Sequence, residues 1–165
     1  MRRFILILTG IMLVLSIEVK AQAKYGDIGW GNYEMTINVV QEKDSFFLNV
    51  IYKDRKLKLV DSPKLLIKLM DDEVIYLDGQ FISSSDKTEG GVMISGIFIQ
   101  SSHIVNQALF PISVNQIEQF TKGIKKIRLN TSPRYHEKEW KKDKIGKVLY
   151  ENYVKIKTDS FADGF

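Results

Sequence analysis

The residues able to do chemistry are few, and none of them forms a complete catalytic set. Ser84-Ser85-Asp86-Lys87 has the serine–lysine spacing of penicillin-recognising enzymes. In those enzymes the serine opens a buried helix so that the lysine can reach it. Here the tetrapeptide sits in a polar stretch ending in Gly90-Gly91, and no Lys-Thr-Gly motif follows it. No Gly-x-Ser-x-Gly elbow occurs either, which leaves open only a triad assembled from distant positions. The two histidines, His103 and His136, are far apart in sequence. His136 with Glu137 and Glu139 is not the His-Glu-x-x-His pattern of a zinc site and reads as an exposed helix residue. His103 reads as a surface or sheet-edge residue.

The acids offer no better site. Asp71-Asp72-Glu73 places three carboxylates side by side, whereas a calcium loop needs oxygen ligands at alternating positions. Asp159, Asp163 and Gly164 are similarly incomplete. Asn130-Thr131-Ser132 is a formal glycosylation sequon, without meaning in a bacterial host. The chain has no cysteine, which removes thiol nucleophiles, zinc–thiolate sites, disulfides and a lipidated cysteine after an export signal. No metal or cofactor is expected.

One constellation has the chemistry of a binding surface. Lys138, Lys141, Lys142, Lys144 and Lys147 form a basic run with Tyr135 and Trp140 interleaved. Lysines beside an amphipathic aromatic suit anionic lipid headgroups or an acidic protein surface. The same side chains could instead shield the apolar flank of a helix with their methylene stems. The binding reading assigns partner contact to Lys138, Trp140, Lys141, Lys142 and Lys144, with the lysines attracting and Trp140 anchoring.

The elements that must carry these residues follow from periodicity. Tyr33–Gln41 and Ser45–Tyr52 are rich in β-branched and aromatic residues around Glu42-Lys43-Asp44, which predicts a hairpin. Leu65–Met70 and Val74–Leu77 predict a second, turning at Asp71-Asp72. Ser83–Gly91 reads as a flexible loop, and Val92–Gln100 and Ile104–Ile112 as the next strands. Ser113 with Gln116 three residues on has the spacing of a capping box, Ile117 and Phe120 share a helical face, and Gly123 suits the helix end. Ile124–Asn130 returns to strand.

Ser132-Pro133 predicts a helix start, and Ile145, Val148, Leu149, Tyr153 and Ile156 keep helical spacing. A straight helix from 133 to 156 would put Lys138, Lys141 and Lys142 on its apolar stripe. The segment is therefore read as a helix kinked near Asp143, which would cap a second piece, as a helix overhanging the core, or as a helix plus a strand over 148–156. Phe47, Ile67, Ile97, Phe110, Ile117, Ile127 and Leu149 are the expected core. The order predicts a β-rich α+β domain: an antiparallel sheet or sandwich with a short helix and a C-terminal helix.

Composition places this domain in a compartment. Arg2 and Arg3 precede an apolar stretch from Phe4 to Ile17, and Ala21-Gln22-Ala23 offers a small-x-small cleavage site. The stretch closes at Glu18 and Lys20, too early for a membrane span. The expected organisation is an export signal over 1–23, one domain over 24–157 and a tail over 158–165. Charge is uneven: Lys24–Thr121 carries nine basic and thirteen acidic residues, whereas Lys122–Lys157 carries twelve basic and four acidic. Such asymmetry predicts an acidic partner or packing of the two halves on each other, and export argues against nucleic acid as that partner.

Ala108–Ser113 (ALFPIS), Val114–Lys122 and Gly123–Leu129 (GIKKIRL) resemble a strand–helix–strand of small exported proteins of Gram-negative anaerobic bacteria. The resemblance implies a periplasmic or surface β-rich domain and transfers no functional residue. The expected function is that of a non-enzymatic binding module engaging an acidic protein or an anionic envelope component, as an inhibitor, an immunity protein or part of an envelope complex. A hydrolase of envelope polymers and a peripheral envelope-binding protein are the rivals.

Overall fold

The computed structural model describes residues 22–26, 32–94 and 97–162; the expected export signal falls almost wholly outside them. Among the described residues the chain is β-rich, every strand pairing is antiparallel, and two helices accompany the strands. The strands are β1 (Ala23–Gly26), β2 (Tyr33–Glu42), β3 (Ser45–Asp54), β4 (Lys58–Leu59), β5 (Lys64–Leu69), β6 (Val74–Asp78), β7 (Gln80–Ile94), β8 (Ile97–Ile112), β9 (Ile124–Leu129), β10 (Thr131–Ser132) and β11 (His136–Glu139). The first helix, α1 (Val114–Glu118), runs into a 3-10 turn over Gln119–Lys122, and α2 spans Gly146–Ala162. One sheet has the order β1-β2-β3-β8-β7, a second the order β11-β9-β5-β6, and β10 pairs with β4.

Alternation sets most of this. In β3, Leu48, Val50 and Tyr52 are buried while the residues between them are half-exposed, and in β5 Leu65, Ile67 and Leu69 do the same. Phe47 therefore falls in the opposite phase from the one expected: it lies beside Pro111 on the half-buried face, and Leu48 takes the core position. Ile67, Phe110, Ile117, Ile127 and Leu149 are fully buried as expected, whereas the side chain of Ile97 lies outside the described residues. In β9, Ile124 and Ile127 are three apart and would point to opposite faces of a regular strand. A register shift between Lys68 and Leu69 pairs Leu69 with Ile124 and leaves Lys125 as the extra residue, so both isoleucines are buried. The apolar residues of the two sheets, α1 and α2 form one buried cluster.

Val92–Gln100, expected as one strand, is divided between β7, which ends at Ile94, and β8, which runs unbroken from Ile97 to Ile112. Two further expectations are overturned. Ser83–Gly91 is not a loop but part of β7, paired from Ser83↔Gln107 to Glu89↔Ser101. β8 supplies the remote partner that local composition cannot reveal, and the serines and charges of β7 suit an exposed edge strand. Pairing of β8 with β3 ends at Asp54↔Ile104, so beyond it β7 and β8 pair only with each other among the described strands. The second correction concerns Ser132-Pro133. The bond is cis, no helix starts there, and the chain enters β11. Glu137 and Glu139 of β11 lie opposite Arg128 and Lys126 of β9, and these cross-strand charges favour a strand over a helix.

The helical expectations that hold do so through their caps. Ser113 Oγ accepts from Gln116 N–H at 3.3 Å while Gln116 Oε1 accepts from Ser113 N–H at 3.0 Å, a reciprocal capping box. Asp143 caps α2, its carboxylate accepting from the N–H groups of Ile145, Gly146 and Lys147, and from Ile124 of β9. Val148–Ile156 is helix, not strand, and α2 continues to Ala162 through most of the expected tail. Asn152, buried on α2, accepts from Val39 N–H at 2.7 Å, where β2 has run past the end of β1. Replacing Asn152 by alanine should leave that buried donor unsatisfied and cost about 1–3 kcal/mol, read from the midpoint of urea unfolding; an unchanged midpoint would show that the contact carries no stability.

Candidate binding site

The local folding of the basic segment decides which of its cations are available. Much of the positive charge after Thr121 is answered within the fold. Lys122 reaches Asp71 at 2.8 Å and Glu73 at 2.5 Å, Lys125 and Lys68 reach Asp72 at 2.8 and 2.9 Å, and Lys126 and Arg128 hold Glu137. The two lysines on Asp72 hold its carboxyl down to about 2. Asp71-Asp72-Glu73 is thus a turn clamped by ammonium groups. Among the described residues no cluster of three or more acidic or histidine side chains is arranged to hold a metal ion.

The remaining lysines behave differently. Lys138, Lys141, Lys142 and Lys144 have no carboxylate partner among the described residues. Lys138 is half-buried on β11, in phase with the buried His136 and Trp140, while Lys141, Lys142 and Lys144 are exposed on the connection from β11 to α2. β11 is an edge of its sheet. Asp143, in the middle of the run, points inward to its four N–H donors and does not neutralise its neighbours. Burial would raise its carboxyl, yet those donors hold it below the usual range.

Trp140 is not the surface anchor expected. It is 7% exposed, meets Tyr25 edge-on at 4.9 Å between ring centroids, and its backbone N–H donates to Lys125 O. The exposed aromatic of this region is Tyr135, 61% accessible, with the Arg128 guanidinium 5.4 Å from its ring centre.

His136 is likewise not an exposed helix residue. It lies in an aromatic cluster, its ring centre 4.4 Å from that of Tyr33, 4.9 Å from Tyr52 and 6.0 Å from Tyr25. The Tyr25 hydroxyl is 3.4 Å from His136 Nε2 and 2.6 Å from Met35 Sδ. Tyr52 donates to Asp54 Oδ2 at 2.7 Å, and Asp54 Oδ1 accepts from the N–H groups of Lys56 and Leu57. Burial pushes both tyrosine hydroxyls up, that of Tyr52 with help from Asp54. Both oxygens of the Asp54 carboxylate are engaged by donors of the fold. The cluster is a packing device, and sequence reasoning missed it because its members come from β1, β2, β3 and β11. His103 is buried too, not at the surface. Ser84 and Lys87 sit three apart on an exposed strand, which turns them to opposite faces and rules out the serine–lysine chemistry.

Burial lowers the His136 imidazole to about 4, with Lys138 adding to the effect and Asp54 opposing it. A histidine held neutral in the fold stabilises it fully above the ordinary value near 6.5 and loses that contribution as pH falls toward 4. The loss over this window should be roughly 2–3 kcal/mol. It should be missing in His136→Phe when unfolding midpoints of the two proteins are compared across pH, and an imidazole titrating near 6.5 by NMR would refute it. No protein-family model, no curated protein and no solved structure matches this chain.

Proposed function

We propose that this chain is an exported, non-enzymatic binding module that engages an acidic protein surface through Lys138, Lys141, Lys142 and Lys144. The observation that carries the reading is selective pairing. Lys122, Lys125, Lys126 and Arg128 are matched by carboxylates of the fold, whereas the four lysines that follow have none among the described residues. Unanswered like charge at the end of β11 and on the short connection after it is unfavourable by itself and is relieved by an acidic partner. The two sheets are read as facing one another in a sandwich, with the β11 edge and its following loop as the contact surface. Trp140 acts behind this surface, holding β11 against Tyr25.

Exposed charge attraction is screened over roughly 8 Å at physiological salt, so affinity should fall as salt rises. Reversing Lys141, Lys142 and Lys144 together to glutamate should slow association at least tenfold with little effect on unfolding. The measurement is capture of periplasmic partners, and of liposomes with anionic headgroups, by the native protein and the triple variant. Equal capture by both overturns the reading, and capture of liposomes alone moves it to the envelope surface. Export has a separate test: the Arg2-Arg3 and Ala21-Gln22-Ala23 arrangement predicts that the native protein begins at Lys24 on N-terminal sequencing. Lys24 would then open β1 with its ammonium 2.9 Å from Glu34, and retention of Met1 would refute cleavage.

A further inference from the structure

At the Asp54 turn lies a cavity of about 90 Å³ lined by Asn32, Asp54, Arg55, Lys56, Leu57 and Arg134. Three of the six lining residues are cationic and one is acidic. The acid is already engaged, since Asp54 accepts from the Tyr52 hydroxyl and from two backbone N–H groups at 2.7–2.8 Å. Lys56 and Arg134 are exposed and have no carboxylate partner among the described residues. The positions are fixed from behind. Arg55 N–H donates to Asn32 O, the Asp54 carboxylate holds the backbone of Lys56 and Leu57, and Arg134 O accepts from the Thr131 hydroxyl. The result is a small concavity on a hydrogen-bonded turn, with the cations of Lys56 and Arg134 at its wall.

Size and donor chemistry define what fits. Pockets for drug-sized molecules run to about 300–1,000 Å³, so this one takes a single compact group and not a nucleotide or a sugar chain. Guanidinium forks match the oxygens of phosphate and sulfate in a way that a lone ammonium does not. We propose that the notch binds one tetrahedral oxyanion, a phosphate or sulfate group, between the Lys56 ammonium and the Arg134 guanidinium, with the Asn32 amide as a neutral donor. The site is independent of the lysine run, because none of its residues belongs to it.

The test is an amide NMR titration of the protein with inorganic phosphate, inorganic sulfate and glycerol phosphate, against sodium chloride at matched ionic strength. Saturable shifts at Asn32, Arg55, Lys56 and Leu57 are expected with the oxyanions and not with chloride. Lys56→Gln combined with Arg134→Gln should weaken binding at least tenfold, both side chains being exposed and their removal harmless to the fold. Arg134→Lys should recover only part of the loss if the fork matters. Comparable binding of glycerol phosphate would identify the phosphate of a larger molecule as the ligand, and binding of the inorganic ions alone a free ion. Absence of saturable shifts, equal response to chloride, or unchanged binding by the double variant overturns the proposal. The triple glutamate variant of Lys141, Lys142 and Lys144 should bind phosphate undiminished, so failure of the partner reading and failure of the oxyanion site give different results.

Discussion

The Asp143 carboxylate is the contact on which the arrangement of the two sheets and the long helix depends. It accepts at once from the first turn of α2 and from Ile124 at the start of β9. One side chain thus satisfies helix donors that would otherwise be orphaned and pins the helix to the second sheet. With α2 fixed there, Leu149 and Tyr153 reach the core and Asn152 meets Val39 on the first sheet. The surroundings are built tightly for it: a Cβ on Gly123, which has φ +84°, would lie 2.9 Å from the Asp143 Cβ. Gly123 therefore serves as both the end of the preceding turn and the space into which the capping residue fits.

The charge asymmetry along the chain has a structural meaning only once strand pairing is known. The second sheet brings Lys68, Lys122 and Lys125 to the acids of the β5–β6 turn, and β9 to the glutamates of β11. Exposed pairs of this kind contribute little energy each, but they set register and leave a remainder. That remainder, on the connection after β11, is the part of the surface whose charge the fold does not explain.

Fold class and most strands were legible because a period of two is written in the residues themselves, as in Leu65, Ile67 and Leu69. The capping roles of Ser113 and Asp143 were legible for the same reason, being local. What failed was non-local. Ser83–Gly91 looks like a loop until β8 is placed beside it, and His136–Trp140 looks helical until Lys126 and Arg128 are set opposite the glutamates. Trp140 was assigned to the surface because its lysine neighbours suggested a solvated segment. Strand alternation puts Trp140 and His136 on the inner face and Glu137 and Glu139 on the outer one. The basic run itself was visible, but which of its members remained unmatched depended on pairings tens of residues away. The notch at Asp54 had no signature at all, since Asn32, Lys56 and Arg134 converge only through folding.

The long β7–β8 hairpin has a bearing on the order in which the chain assembles. Its strands are neighbours in sequence and can zip without waiting for the rest of the molecule. The seam between β3 and β8, by contrast, joins Phe46 to Ile112 and Asp54 to Ile104, and it closes only after the intervening β4–β6 segment has looped out. Loop closure of that kind is the slow, entropically costly part of β-sheet folding. The first sheet thus contains two hairpins local in sequence, β2–β3 and β7–β8, joined along one non-local seam between β3 and β8. Gly79 stands where that meeting is fixed. A Cβ there would come within 2.4 Å of the Phe110 ring, so the chain can turn from β6 into β7 only because nothing projects from this corner into the seam.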